Sequence, residues 1–234
     1  MMNHKEILIR YLVFSAGAVI CALGIGFITR AGLGTSPISG IPFVLSLITS
    51  PSMGVYTFSF NMLFLLGEAL LRRRITAVWA LQIPAALLFS LCIDIALALI
   101  PTRYGGPYLQ SLLYLAIGCT IMAFGISLEV KANVIMLPGE ALVRAISQKF
   151  NYQFGNVKVC FDTTLACSAA ILALLSFHRL NGVREGTLIS ALAVGQLVKL
   201  FSVFSPFCFP PWIMLYFSIH AGYSIIVKQS VCFI

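Results

Sequence analysis

Charge is what this chain has least of. Of its 234 residues 9% are Asp, Glu, Lys or Arg, and seven are acidic. An ordinary soluble domain carries about a quarter charged residues, so this composition excludes one. Signatures of catalysis are missing as well. There is no HExxH, no G-x-S-x-G elbow, no P-loop and no GxGxxG opening a βαβ unit. Asp94 and Asp162 lack the Gly-flanked setting that paired intramembrane proteolytic aspartates need. We therefore expect no enzyme and no cofactor. The seven cysteines (21, 92, 119, 160, 167, 208 and 232) form no CxxC pair, are odd in number and have no histidine cluster beside them. They read as small packing residues in helices, and no metal site is expected. The net charge of +8 has no basic tail or arm behind it, which argues against a nucleic-acid partner. Lys and Arg stand at the ends of apolar runs, where they meet lipid phosphates and set topology.

Apolar residues supply what charge does not. They make up 60% of the chain, and the mean hydropathy is +1.00. Long runs cover Ile7–Ile28, Gly54–Leu71, Ala77–Ile100, Gln110–Leu128, Gly155–Phe177, Thr187–Phe204 and Pro211–Val227. Each is roughly 17–25 residues, enough to cross a hydrocarbon core as a helix. The first run is too long for the core of a signal peptide and reads as a retained helix. The chain is expected to be an all-α integral membrane protein whose first partner is the lipid bilayer.

It also repeats itself. Ala22–Gly32 followed by Pro37 returns as Ala123–Asn133 followed by Pro138, an offset of 101 residues that holds at Gly54 and Gly155. Beyond that point the offset lengthens slightly, and Phe89–Asp94 aligns with Val194–Lys199. A repeat of this length in so apolar a chain reads as a duplicated membrane bundle. Residues 1–104 form the first repeat, 105–205 the second, and 206–234 an additional C-terminal helix suited to the periphery or to a homodimer contact.

Two short stretches decide the expected topology. Residues 37–50 would make a helix of about 21 Å, short of a full crossing. Residues 138–150 place Ala141, Leu142, Ala145 and Ile146 on one stripe and Glu140, Arg144, Ser147 and Gln148 on the other. Such an amphipathic helix lies in an interface or dips in and out. With both stretches re-entrant, each copy has three spanning helices, and an odd number inverts the second copy against the first. The distribution of Lys and Arg fits this arrangement and a nine-span alternative equally well; length and amphipathicity favour inversion.

Paired broken segments are the strongest sequence pointer to a transporter's site. Gly32-Leu33-Gly34-Thr35-Ser36-Pro37 offers free backbone, cap residues and a proline suited to a first helical turn. Gly34, Thr35 and Ser36 are thus expected to bind substrate, joined by Asn61 and Asp162, which occupy equivalent positions in the two copies. Asp94 and Lys199, also equivalent and opposite in charge, are candidates for ion coupling or a charge pair, as is Lys158 beside Asp162. Glu129, Lys131 and Arg30 sit at run ends and read as structural ion pairs or snorkelling charges.

The stretch Ala31–Pro37, with Gly54 and Asn61 following, resembles the bacterial YczE/YyaS/YitT-like group of multi-pass membrane proteins. Gly186-Thr187-Leu188-Ile189 and Gly195-Gln196 look like that group's later pieces, and the likeness runs from about Arg10 to Phe204. The second copy departs from the glycine-rich motif at Asn133–Pro138. The resemblance implies a small bacterial plasma-membrane protein of two related halves with a role in transport. The reading is a secondary transporter, an exporter or facilitator of a small organic solute, with protonation of Asp162 or Asp94 as the coupling step. A non-transporting binding or partner subunit of a larger complex is the alternative.

Overall fold

Inside lipid a segment must satisfy its own N–H and C=O groups, and the computed structural model meets that demand with helices throughout. It describes residues 4–73, 77–101, 108–178 and 182–203, which hold eight α-helices and no strand. These are α1 (His4–Arg30), α2 (Gly40–Ile48, entered through a 3-10 turn at Pro37–Ser39), α3 (Met53–Arg72), α4 (Ala77–Leu99), α5 (Tyr108–Ala132), α6 (Pro138–Phe150), α7 (Phe154–Phe177) and α8 (Glu185–Val203). Five of them, α1, α3, α4, α5 and α7, are long and apolar enough to cross a membrane. The chain is an all-helical membrane protein. Among the described residues α8 offers a shorter apolar stretch, Glu185–Val198, than the full span expected of it. The run Pro211–Val227 and the dimer contact assigned to it lie outside the described residues.

Local chemistry sets the helix ends. Ser52 caps α3, its Oγ accepting from Val55 N at 3.2 Å. At the other end Arg73 closes α3 in the left-handed conformation (φ 52°). Asn151 and His178 do the same for α6 and α7. After α1 the chain turns at Gly32 (φ 73°) and Gly34 (φ 125°), a geometry that a Cβ would strain.

The core is built on one close crossing. Among the described residues α1 and α5 share the largest interface, and they run antiparallel. A Cβ on Gly17 would lie 2.9 Å from the Gly125 carbonyl oxygen, and one on Gly118 the same distance from that of Gly24. Gly118 and Gly125 are Gly17 and Gly24 shifted by 101 residues, so each glycine meets the counterpart of the other. Lipid supplies no hydrophobic drive between helices, and small residues that let backbones approach replace it. Around this seam pack Ala18, Cys21, Ile25, Leu115, Cys119 and Met122.

The remaining contacts come in matching pairs, the first within each half of the chain and the second crossed between them. α4 lies on α1 and α8 on α5; α2 lies on α7 and α6 on α3. One correspondence is broken: α3 packs well on α4, whereas α7 and α8 barely touch. Outward faces carry bare apolar stripes, such as Leu87, Leu91, Ile95 and Leu99 on α4, at a spacing of four residues. In water such a stripe would be a liability; against acyl chains it is the required surface.

Candidate functional site

The loop after α1 is the first of two polar regions. The Thr29 and Thr35 hydroxyls are 2.9 Å apart, and Thr35 N donates to Thr187 Oγ1 at 3.3 Å. Gly186 N donates to the Leu33 carbonyl at 2.8 Å, and Arg184 Nη1 reaches the Gly32 carbonyl at 3.4 Å. Thus Gly32–Thr35 and Gly186–Thr187, both singled out in the sequence, face each other. The loop carbonyl occupies a free N–H at the start of α8, and the Thr187 hydroxyl serves the loop in return. Gly34 must be glycine twice over: its φ is positive, and a Cβ there would collide with Thr187 Oγ1. Beside this joint lies a cavity of about 360 Å³ lined by Thr29, Gly32, Gly34, Phe43, Leu47, Gly182 and Arg184. Ser36 is buried at the start of the turn into α2, its hydroxyl without a partner.

The second region surrounds the starts of the two short helices. Ile38 and Gly139, at equivalent positions, touch: a Cβ on Gly139 would strike the Ile38 side chain and lie 3.6 Å from the Phe64 ring. Phe64 of α3 meets Phe161 of α7 edge to face, centroids 5.4 Å apart. Asn61, three residues before Phe64, is buried. Asp162, next to Phe161, binds Lys158 Nζ at 2.9 Å. Glu140, in the first turn of α6, lies within the electrostatic influence of this ion pair. Burial raises its pKa above the ordinary 4.5; Lys158 lowers it and Asp162 raises it further.

The expected site residues therefore fall into two groups with different neighbours. Gly34 and Thr35 are engaged by the start of α8, while Asn61, Lys158 and Asp162 stand around the tip of α6. Asp94 caps α3: it accepts from Ser52 Oγ at 2.5 Å and from Gly54 N at 2.7 Å. Gly54 is glycine because a Cβ would run into this carboxylate and the Ser90 carbonyl. The Lys199 side chain lies outside the described residues.

Two site residues escape the sequence pattern. Glu140, on the polar stripe of an amphipathic helix, is half-buried against α7. Glu129, expected to snorkel from a helix end, lies one turn inside α5, 6% exposed, with Oε1 lacking any partner. The signal that could have found it lies in the expected 101-residue offset, at which Glu129 aligns with Ile28.

Comparison with known proteins matches the model of a family of unknown function, DUF6198, to residues 8–203. The chain belongs to that family. The Bacillus subtilis (strain 168) protein described as "Uncharacterized protein YyaS" is 24% identical over 196 residues, spanning 82% of this chain and 92% of that protein. The resemblance expected from Ala31–Pro37 is thus met at the level of family. No solved structure matches. The matched span includes both polar regions, so the joint between Leu33 and Gly186 and the glycine seam fall within the family's shared extent. Among the described residues no three His, Cys, Asp or Glu groups converge in metal-binding geometry.

Proposed function

We propose that this DUF6198 member is a secondary transporter of a small organic solute in the bacterial plasma membrane, built from two inverted repeats. The observation that carries the reading is the crossed contact pattern at an offset of 101 residues. Gly17 opposes Gly125 and Gly24 opposes Gly118; α2 rests on α7 and α6 on α3; Ile38 touches Gly139. Antiparallel α1 and α5 with exchanged neighbours are what a two-fold axis in the membrane plane produces. In this reading α2 and α6 enter the bilayer from opposite sides and meet at mid-depth as re-entrant helices.

The substrate site lies where those helices meet, between Phe64 and Phe161, with Asn61, Glu140, Lys158 and Asp162 as polar contacts. Polar groups at membrane depth are costly, and a bound solute would offer them hydrogen-bond partners. The weak contact between α7 and α8, beside the firm one between α3 and α4, makes the two halves unequal in this conformation. Rocking one half over the α1–α5 seam would exchange that inequality and alternate access. The solute is moved, not chemically altered.

Two measurements test this. In a cysteine-free background, Asn151→Cys should be shielded from a membrane-impermeant thiol reagent in intact cells; labelling from outside overturns inversion. Proteoliposomes loaded with an isotope-labelled bacterial small-molecule extract should lose some solutes selectively compared with protein-free liposomes. An unchanged pool overturns transport by the chain alone and favours the partner-subunit alternative.

A further inference from the structure

Among the described residues three glycines adopt a positive φ, and all three, Gly32, Gly34 and Gly182, line the cavity beside the joint between α1 and α8. Two lie on the loop after α1 and the third just ahead of α8. Their share of the wall is bare backbone, which lets a bound molecule approach closely. That wall is also held in place. Gly186 N donates to the Leu33 carbonyl at 2.8 Å, and Thr35 N to Thr187 Oγ1 at 3.3 Å. A Cβ on Gly182 would lie 3.1 Å from the side chains of both Phe43 and Val44, so this strand of backbone is packed directly on α2. At about 360 Å³ the space has the size of a small-molecule site.

The side chains that line it divide by chemistry. Phe43 and Leu47 of α2 are apolar, the first 7% exposed and the second 42%. Arg184 supplies the charge, and no acidic side chain is in the lining. Its Nη1 donates to the Gly32 carbonyl at 3.4 Å and its Nη2 to Glu185 at 3.0 Å. A guanidinium carries more N–H groups than these two bonds use. Thr29 and Thr35 share one hydrogen bond between two hydroxyls, which leaves one O–H proton of the pair over, and Thr29 lines the cavity. The first N–H groups of α8 are not the attraction, because Gly186 N and Thr187 N already donate to the Leu33 and Arg184 carbonyls.

We infer that this cavity binds a small organic monocarboxylate, its carboxylate on Arg184 and its apolar body against Phe43 and Leu47. A planar carboxylate matches the fork of a guanidinium. One cation in the lining suits a single negative charge; a doubly charged phosphate would find no second one there. The Arg184–Glu185 pair is close to half exposed on both sides, and such surface pairs hold weakly, so a ligand shares the guanidinium with little opposition. None of the groups around Phe64 and Phe161 takes part. The site therefore goes beyond the transport reading and does not depend on it.

The test is equilibrium dialysis of isotope-labelled benzoate against the full chain in nonionic detergent near neutral pH, with empty micelles as the blank. Saturable binding is expected, displaced by unlabelled benzoate and not by benzamide, which has a similar shape without the charge. Arg184→Gln should weaken it by about ten- to a hundredfold, the loss of hydrogen bonds to a charged group. Leu47→Trp, which puts a larger ring at an exposed position of the lining, should weaken it as well. Arg144→Gln, at an exposed arginine of α6, should leave it unchanged. Absence of saturable binding, equal displacement by benzamide, or full binding in Arg184→Gln overturns the assignment. Arg184-dependent binding of a short-chain phosphatidylglycerol without binding of benzoate would put a lipid phosphate in the cavity and overturn it too. A chain that binds benzoate and moves no solute in liposomes would overturn transport and leave this site standing. Selective flux without Arg184-dependent binding would do the reverse.

Discussion

Adding one methyl group at Gly125 should loosen the molecule at its centre. A Cβ there would lie 2.5 Å from Cys21 N and 2.7 Å from the Gly17 carbonyl oxygen, both backbone atoms of a 27-residue helix. Neither can rotate aside, so α1 and α5 must part by about 1 Å to restore ordinary contact distances of about 3.5 Å. A gap of that size forfeits about half of each contact, and across roughly twenty atom pairs of ~0.1–0.2 kcal/mol the loss is about 1–2 kcal/mol. Overpacked cores lose about 1–3 kcal/mol, which agrees. Gly195→Ala is the comparison, since a Cβ there meets nothing within 4 Å. It should be neutral or gain up to about 1 kcal/mol from helix propensity. The assay is reversible unfolding of both variants in mixed detergent and SDS micelles. Gly17→Ala combined with Gly125→Ala should cost less than the sum, because both strain one contact, while Gly125→Ala with Gly195→Ala should add. A Gly125→Ala chain as stable as Gly195→Ala would refute the close-crossing argument.

Asp94→Ala removes the carboxylate that caps α3 and should cost about 1–2 kcal/mol, seen as a lower thermal midpoint in detergent; Asp94→Asn, which keeps one acceptor for Gly54 N, should lose less. Thr187→Val preserves shape but strands the buried Thr35 N–H, for a cost of about 1–3 kcal/mol. Thr187→Ser should restore it, measured by the same melt. Glu140 holds its proton to higher pH in the folded chain than in the unfolded one, whose carboxyl titrates near 4.5. The folded state therefore binds more protons between the two values, and stability falls as pH rises through that window and levels off above it. Glu140→Gln should flatten this slope in melts recorded from about pH 4 to pH 7; an unchanged slope would place the titration elsewhere.

Helix positions are legible because lipid leaves the backbone a single economical solution. The runs that begin at Ile7, Gly54, Ala77, Gln110 and Gly155 appear as α1, α3, α4, α5 and α7, and Pro138–Phe150 forms α6 with the bounds the sequence suggests. Pro37 and Pro138 mark the short helices because proline suits a first helical turn. Side-chain roles are less legible. Asp94 has the look of a coupling charge and caps a helix 40 residues earlier in the chain; Thr35 has the look of a ligand contact and bonds to Thr187, 152 residues later.

Class, the long helices in outline and the positions of the two short helices follow from the sequence alone. Each depends on local composition and on the length a helix needs to cross lipid. Which polar groups meet was decided by tertiary structure. That choice rests on the α1–α5 crossing, whose closeness depends on four glycines and whose antiparallel sense carries α6 onto α3 and α2 onto α7. No local pattern encodes that exchange of partners. Because of it, Glu129 lies buried against α1 beside Gly17 and is kept from the solvent a helix end would have given it.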